Sequence, residues 1–76
     1  MKLEVRLFAY LREGRDKVVY LDIIENKTTI QDIIETLNIP SKYVSLALLN
    51  GKDTNDYTTT FKQGDYISIF PPVGGG

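Results

Sequence analysis

The sequence predicts an α+β fold: a mixed sheet of four to five strands, one main helix packed on one face, and an extended, flexible C-terminal tail. Three observations carry this. Apolar residues alternate with period two near both ends of the chain, over residues 2–9 and Tyr66–Phe70. Between them lies one helical stripe, Ile30, Ile33, Ile34 and Leu37. The chain has 76 residues, enough for one domain, and a helix laid across a single sheet is the economical way for so short a chain to bury a core.

In the first strand, residues 2–9, Leu3, Val5, Leu7 and Ala9 share the inward face, while Lys2, Glu4, Arg6 and Phe8 look toward water or a partner. Residues 12–16, polar around Gly14, read as a turn. Residues 17–24 follow as a second strand with Val19, Leu21 and Ile23 inward, completing a hairpin. Thr28 and Gln31 have the spacing of a capping box, which opens the helix, and Pro40 closes it. Residues 45–49 form a third strand whose near-continuous apolar run leaves its inward face open, and Asn50-Gly51 behind it is a tight-turn pair. Residues 57–61 read as a short strand or loop, and residues 62–65 as a turn. The last strand, Tyr66–Phe70, puts Ile67 and Ile69 inward and Tyr66, Ser68 and Phe70 outward. The first and last strands match in pattern although they are far apart in the chain, so they are expected side by side and parallel at the centre of the sheet. That is the β-grasp arrangement, with the domain over residues 1–70 and the tail over residues 71–76.

Composition narrows the chemistry. The chain has no cysteine and no histidine, so it lacks disulfides, a thiol nucleophile, thiolate metal ligands and the usual general base at neutral pH. It also lacks a phosphate-binding glycine loop and an evident pair of catalytic carboxylates, which argues against an independent enzyme. Nine basic and ten acidic residues, net charge −1, are scattered along the sequence, so neither nucleic acid nor a membrane surface is an expected partner. Residues 1–10 alternate charge with apolar side chains where a signal peptide needs an unbroken apolar run, and a cytoplasmic location is expected. Asp53, Asp56 and Asp65 lie near turns, where aspartate bonds to backbone, and no metal site is expected of them. Tyr10, Tyr20, Tyr43 and Tyr57 suit the wet edge of a core. Lys27, Lys42, Lys52 and Lys62 read as solvated loop residues without a role.

The tail is where chemistry concentrates. At about 7% glycine per position, three consecutive glycines at a given place arise in roughly three of ten thousand chains, yet Gly74, Gly75 and Gly76 follow Pro71, Pro72 and Val73 here. Prolines stiffen the start of such a segment, and glycines let its end pass through a channel that admits only backbone. Six extended residues reach roughly 20 Å, enough to place the Gly76 carboxylate inside another protein while the domain stays outside. A carboxylate is a poor acyl donor until it is adenylated, so the expected role is that of a carrier whose catalytic residues belong to its partners. Phe8 and Phe70, outward on adjacent strands with Tyr66 beside them, form an expected partner-binding patch at the base of the tail, and Pro71, Pro72 and Val73 are expected to extend that contact.

The ending Phe70-Pro71-Pro72-Val73-Gly74-Gly75-Gly76 resembles that of the ubiquitin-like sulfur carriers that serve as the small subunit of molybdopterin synthase. The resemblance extends to Phe8-Ala9-Tyr10-Leu11-Arg12-Glu13 at the end of the first strand and to Gly64-Asp65 before the last. It implies that Gly76 is adenylated by an adenylyltransferase resembling ubiquitin-activating enzymes, with ATP used by that enzyme and no cofactor bound by this chain. A sulfur donor such as a cysteine desulfurase or rhodanese would then supply a thiocarboxylate, which the large synthase subunit receives to make the molybdenum or tungsten pterin cofactor. The resemblance also implies partner contact through Phe70. Gly74 departs from many relatives, which carry a small or polar residue there. Two other roles share the glycine end: a thiamine-type sulfur carrier, which usually lacks the Phe-Pro-Pro step, and a ubiquitin-like modifier joined to lysines. A third, an interaction module with an inert tail, would give the glycines no task.

Overall fold

The computed structural model of the chain describes residues 1–72. The elements run β1 (Lys2–Leu7), a 3₁₀ segment (Ala9–Arg12), β2 (Val18–Asp22), α1 (Ile30–Thr36), a second 3₁₀ segment (Ser41–Tyr43), β3 (Leu46–Leu49), β4 (Lys52–Asp53) and β5 (Tyr66–Phe70). The sheet order is β2-β1-β5-β3-β4. Strands β1 and β5 are parallel at its centre, with Glu4 opposite Tyr66 and Leu7 opposite Ile69. The remaining pairs are antiparallel. This is the ubiquitin-like β-grasp fold.

The alternation in β1 and β5 does what its period dictates. Leu3, Val5, Leu7, Ile67 and Ile69 are buried on one face and meet Ile30, Ile33 and Ile34 of α1. The third strand resolves its two faces by placing Ala47 and Leu49 inward and Leu46 and Leu48 outward, opposite Phe70 and Ser68. Asn50 and Gly51 both take positive φ, 53° and 84°, the geometry that lets a two-residue turn follow the twist of its strands. That turn returns the chain as β4, which the sequence did not mark. Of the two readings left open for residues 57–61, the loop holds: they form a turn with one isolated bridge, Thr29 to Thr60, and they deliver Phe61, fully buried, to the core.

Two expectations shift by local geometry. Strand β1 ends at Leu7, so Ala9 is exposed and does not face inward; it turns at φ 53° into the 3₁₀ segment, and Leu11 fills the core in its stead. The helix is capped one residue later than Thr28. The Thr29 hydroxyl accepts from the Asp32 N–H at 3.1 Å while the Asp32 carboxylate accepts from the Thr29 N–H at 3.0 Å, satisfying two donors that the helix itself leaves open. Thr28 instead accepts from the Ile24 N–H, and Gln31 donates to Glu35 one turn on. Strand β2 is shorter than expected and lies at the sheet edge, which leaves Val19 and Leu21 half-buried while Ile23 is buried.

Candidate functional site

The end of β5 collects most of the candidate residues. Phe8 follows β1 and Phe70 closes β5; parallel pairing of the two strands brings their side chains out on the sheet face away from α1. The rings stack with centroids 4.2 Å apart and planes 12° from parallel. Arg12 completes the arrangement: its Nε donates to the Leu7 carbonyl at 2.9 Å, and its guanidinium lies 5.4 Å from the Phe8 ring centroid. The 3₁₀ turn is thereby tied to the end of β1, and Phe8 is held between a cation and a second ring.

Past the end of β5, Pro71 is buried and Pro72 half-buried. With Phe8, Phe70, Leu46 and Tyr10 they line an open depression of about 440 Å³. Its surface is almost wholly aromatic and aliphatic, the character of an anchor pocket at the centre of a protein interface. Val73, Gly74, Gly75 and Gly76 lie outside the described residues, and the chain enters them directly from this depression.

Tyr66 does not join the patch. It sits four residues before Phe70 on the same strand, with Ser68 between them. The Arg6 guanidinium covers its ring at 4.0 Å from the centroid. Arg6 also bonds Glu4, and that hydrogen bond holds the Arg6 pKa above its usual value. The outward face is therefore divided into a charged end around Tyr66 and an apolar end around Phe70. Arg12, Leu46 and Tyr10 were not singled out as site residues from the sequence; the only signal was the Arg12 of the motif shared with the sulfur carriers.

Asp56 and Asp65 serve turns, whereas Asp53 lies in β4. Asp65 accepts from the Lys62 N–H at 2.8 Å and from the Asn50 side chain at 2.8 Å. Asp56 accepts from the Thr58 hydroxyl and N–H, and these bonds hold its carboxyl below the usual carboxylate value. Among the described residues no group of three or more carboxylates is placed to hold a metal ion, and no helix is long and apolar enough to cross a membrane.

A β-grasp domain with an apolar anchor at the root of a glycine tail defines the class of ubiquitin-like carriers and modifiers. Comparison with known proteins places the chain within that class. The model of the ThiS family matches residues 5–76, and the chain belongs to this family of ubiquitin-like sulfur carriers. It is 29% identical over 96 residues to small archaeal modifier protein 3 of Haloferax volcanii, covering all of both chains. Among solved structures it resembles SAMP1 of Haloferax volcanii, with a TM-score of 0.77 and 26% identity over the whole of both chains. It is similar too to a chain in the complex of subunits 1 and 2 of the molybdopterin-converting factor from Helicobacter pylori 26695, with a TM-score of 0.69 and 25% identity over the whole of both.

Proposed function

We propose that this chain is the sulfur-carrying small subunit of a molybdopterin synthase, working through the Gly76 carboxylate. In the first step that carboxylate attacks the α-phosphorus of ATP in a ubiquitin-activating-like adenylyltransferase, and pyrophosphate leaves. In the second, the terminal sulfur of a persulfide on a donor such as a cysteine desulfurase or rhodanese attacks the acyl carbon, the C–S bond forms and AMP leaves; a thiol reductant then cleaves the S–S bond of the resulting acyl disulfide, freeing the thiocarboxylate and leaving a disulfide between reductant and donor. The resulting thiocarboxylate is presented to the large subunit. The chain binds and presents while its partners catalyse.

The observation that carries this reading is the Phe8 and Phe70 stack bordering a depression that Pro71 and Pro72 close. A partner side chain seated there fixes the start of the tail, and the distance left to Gly76 then sets how deep the carboxylate reaches. Membership of a sulfur-carrier family and similarity to a molybdopterin-converting factor subunit support it. A second reading, conjugation of Gly76 to lysine amines, is favoured by the similarity to a small archaeal modifier protein. Both share adenylation and diverge at the nucleophile. The test is intact mass after incubation with ATP, the activating enzyme and a sulfur donor, beside a chain lacking Gly75 and Gly76. Replacement of one oxygen by sulfur on the full chain alone is the expected result. No change with an enzyme active on another carrier, together with lysine-linked products in cell extract, would replace the sulfur reading with the modifier reading.

A further inference from the structure

Strand β2 forms one edge of the sheet, and its outer side is open. Met1 and Ile23 exchange backbone bonds, each at 2.9 Å, and the Leu7 N–H donates to the Lys17 carbonyl at 2.8 Å. Bonded pairs alternate along an antiparallel ladder, so residues 17, 19, 21 and 23 direct their backbone groups to β1, and Val18, Tyr20 and Asp22 direct theirs away from the sheet. Among the described residues, none of the backbone bonds in turns, loops and caps uses those three positions.

Between this edge and α1 lies a groove of about 530 Å³. Leu21, Ile23 and Ile33 line its apolar part; Asp22, Asp32 and Glu35 line its rim, and no lysine or arginine takes part in the lining. Lys2 reaches Asp22 from the outer face, at 3.2 Å, and among the described residues no cation pairs with the two helix carboxylates. In a chain with nine basic and ten acidic residues, this is a marked local excess of negative charge. On the other side of the edge Tyr20 is 60% exposed.

We propose that the β2 edge and the groove beside α1 form a second docking surface, which takes an extended segment of a partner protein, alternating basic and apolar residues, as an added strand. The outward groups of Val18, Tyr20 and Asp22 supply the ladder. Residues of the added strand opposite Val19 and Leu21 point into the groove, where a lysine or arginine stem packs on Leu21 and Ile33 and its head reaches Asp32 and Glu35. Residues opposite Tyr20 are apolar and pack beside its ring. A second copy of this chain is the wrong occupant, because pairing β2 with β2 about Tyr20 brings two identical acidic grooves together. The surface is separated from the Phe8 and Phe70 depression by β1, so both can be occupied at once, and its use does not depend on the chemistry at Gly76.

The test is a titration of the full ¹⁵N-labelled chain with a capped Lys-Val-Lys-Val-Lys-Val peptide. Expected are the largest amide shifts at Val18, Tyr20 and Asp22 with smaller ones along α1. Exchange at the Tyr20 amide slows, and a peptide with glutamate for lysine does not bind. Glu35→Lys, at an exposed position, weakens binding at least about fivefold, the size of effect expected for a charge at an interface rim. A peptide of the same charge with alternate amides N-methylated separates strand addition from simple attraction. Equal binding of that peptide overturns the proposal. So do shifts confined to Phe8, Leu46 and Phe70, and so do concentration-dependent shifts at Val18 and Tyr20 without peptide, which would make a second copy the occupant.

Discussion

At the scale of single residues, Phe8 packs on Phe70 where β5 ends and is only half-buried, so that under the proposed function part of its ring is left for a partner. Stacked aromatic pairs contribute about 0.5–1.5 kcal/mol beyond the area they bury, and an anchor at the centre of an interface contributes more to binding than to folding. Phe8→Ala is therefore expected to lower folding stability by about 1–2 kcal/mol, measured by urea unfolding, and to weaken binding to the proposed large-subunit partner by at least about 30-fold, measured calorimetrically. Phe8→Leu keeps apolar area without the stack and falls between. Equal binding by Phe8→Ala and the unaltered chain would remove the depression from the partner interface. The contrast with Tyr66 is instructive at this scale: it is equally aromatic and equally outward in sequence, but Arg6 covers it, and no period-two pattern reveals which outward ring a neighbouring cation will occupy.

At the scale of elements, the helix start shows where local sequence stops deciding. Thr28 with Gln31 and Thr29 with Asp32 both have capping-box spacing. The choice falls to contacts from far along the chain. Thr29 bridges to Thr60, the Ile30 N–H donates to the Thr59 carbonyl at 3.0 Å, and the Gln31 N–H donates to the Tyr57 carbonyl at 3.0 Å. Thr29→Ala is expected to cost about 1 kcal/mol and to speed hydrogen exchange at the Asp32 amide. Thr28→Ala should leave that amide protected and expose the Ile24 amide, whose bond it removes; loss of Asp32 protection in Thr28→Ala would contradict the assigned cap. The same reasoning separates what was legible from what was not. The parallel pairing of β1 with β5, the helix stripe and the Asn50-Gly51 turn follow from patterns within a few residues and could be read directly. The end of β1 could not: Ala9 turns away at positive φ while Arg12 bonds back to Leu7. Phe61 reaches the core through a segment with no period of its own. The Phe8 and Phe70 meeting was legible because it follows from the strand pairing, whereas Leu46, Tyr10 and the buried Pro71 depend on how the strand ends close over it.

At the scale of the whole molecule, the last strand made is the one that completes the sheet. Strand β5 lies between β1 and β3 and pairs with both, so the hairpin of β1 and β2 and that of β3 and β4 are joined only through it. A chain ending at Asp65 would keep both hairpins and α1 but lose Ile67 and Ile69, both fully buried, along with the ladder that unites the halves; isolated hairpins are marginal in water. That fragment is expected to show no cooperative unfolding transition, while a chain ending at Pro72 keeps the whole described core and unfolds cooperatively. Thermal unfolding followed by circular dichroism distinguishes them. A cooperative transition in the shorter fragment would mean that one hairpin with α1 is stable alone, and that β5 is an addition to a finished domain. Loss of cooperativity confirms the opposite arrangement, in which the strand that leads into the tail is clamped on both sides. The consequence is mechanical: under the proposed function, an enzyme drawing on the tail pulls against a strand paired on both sides, so the domain, and the depression at its end, would keep their shape.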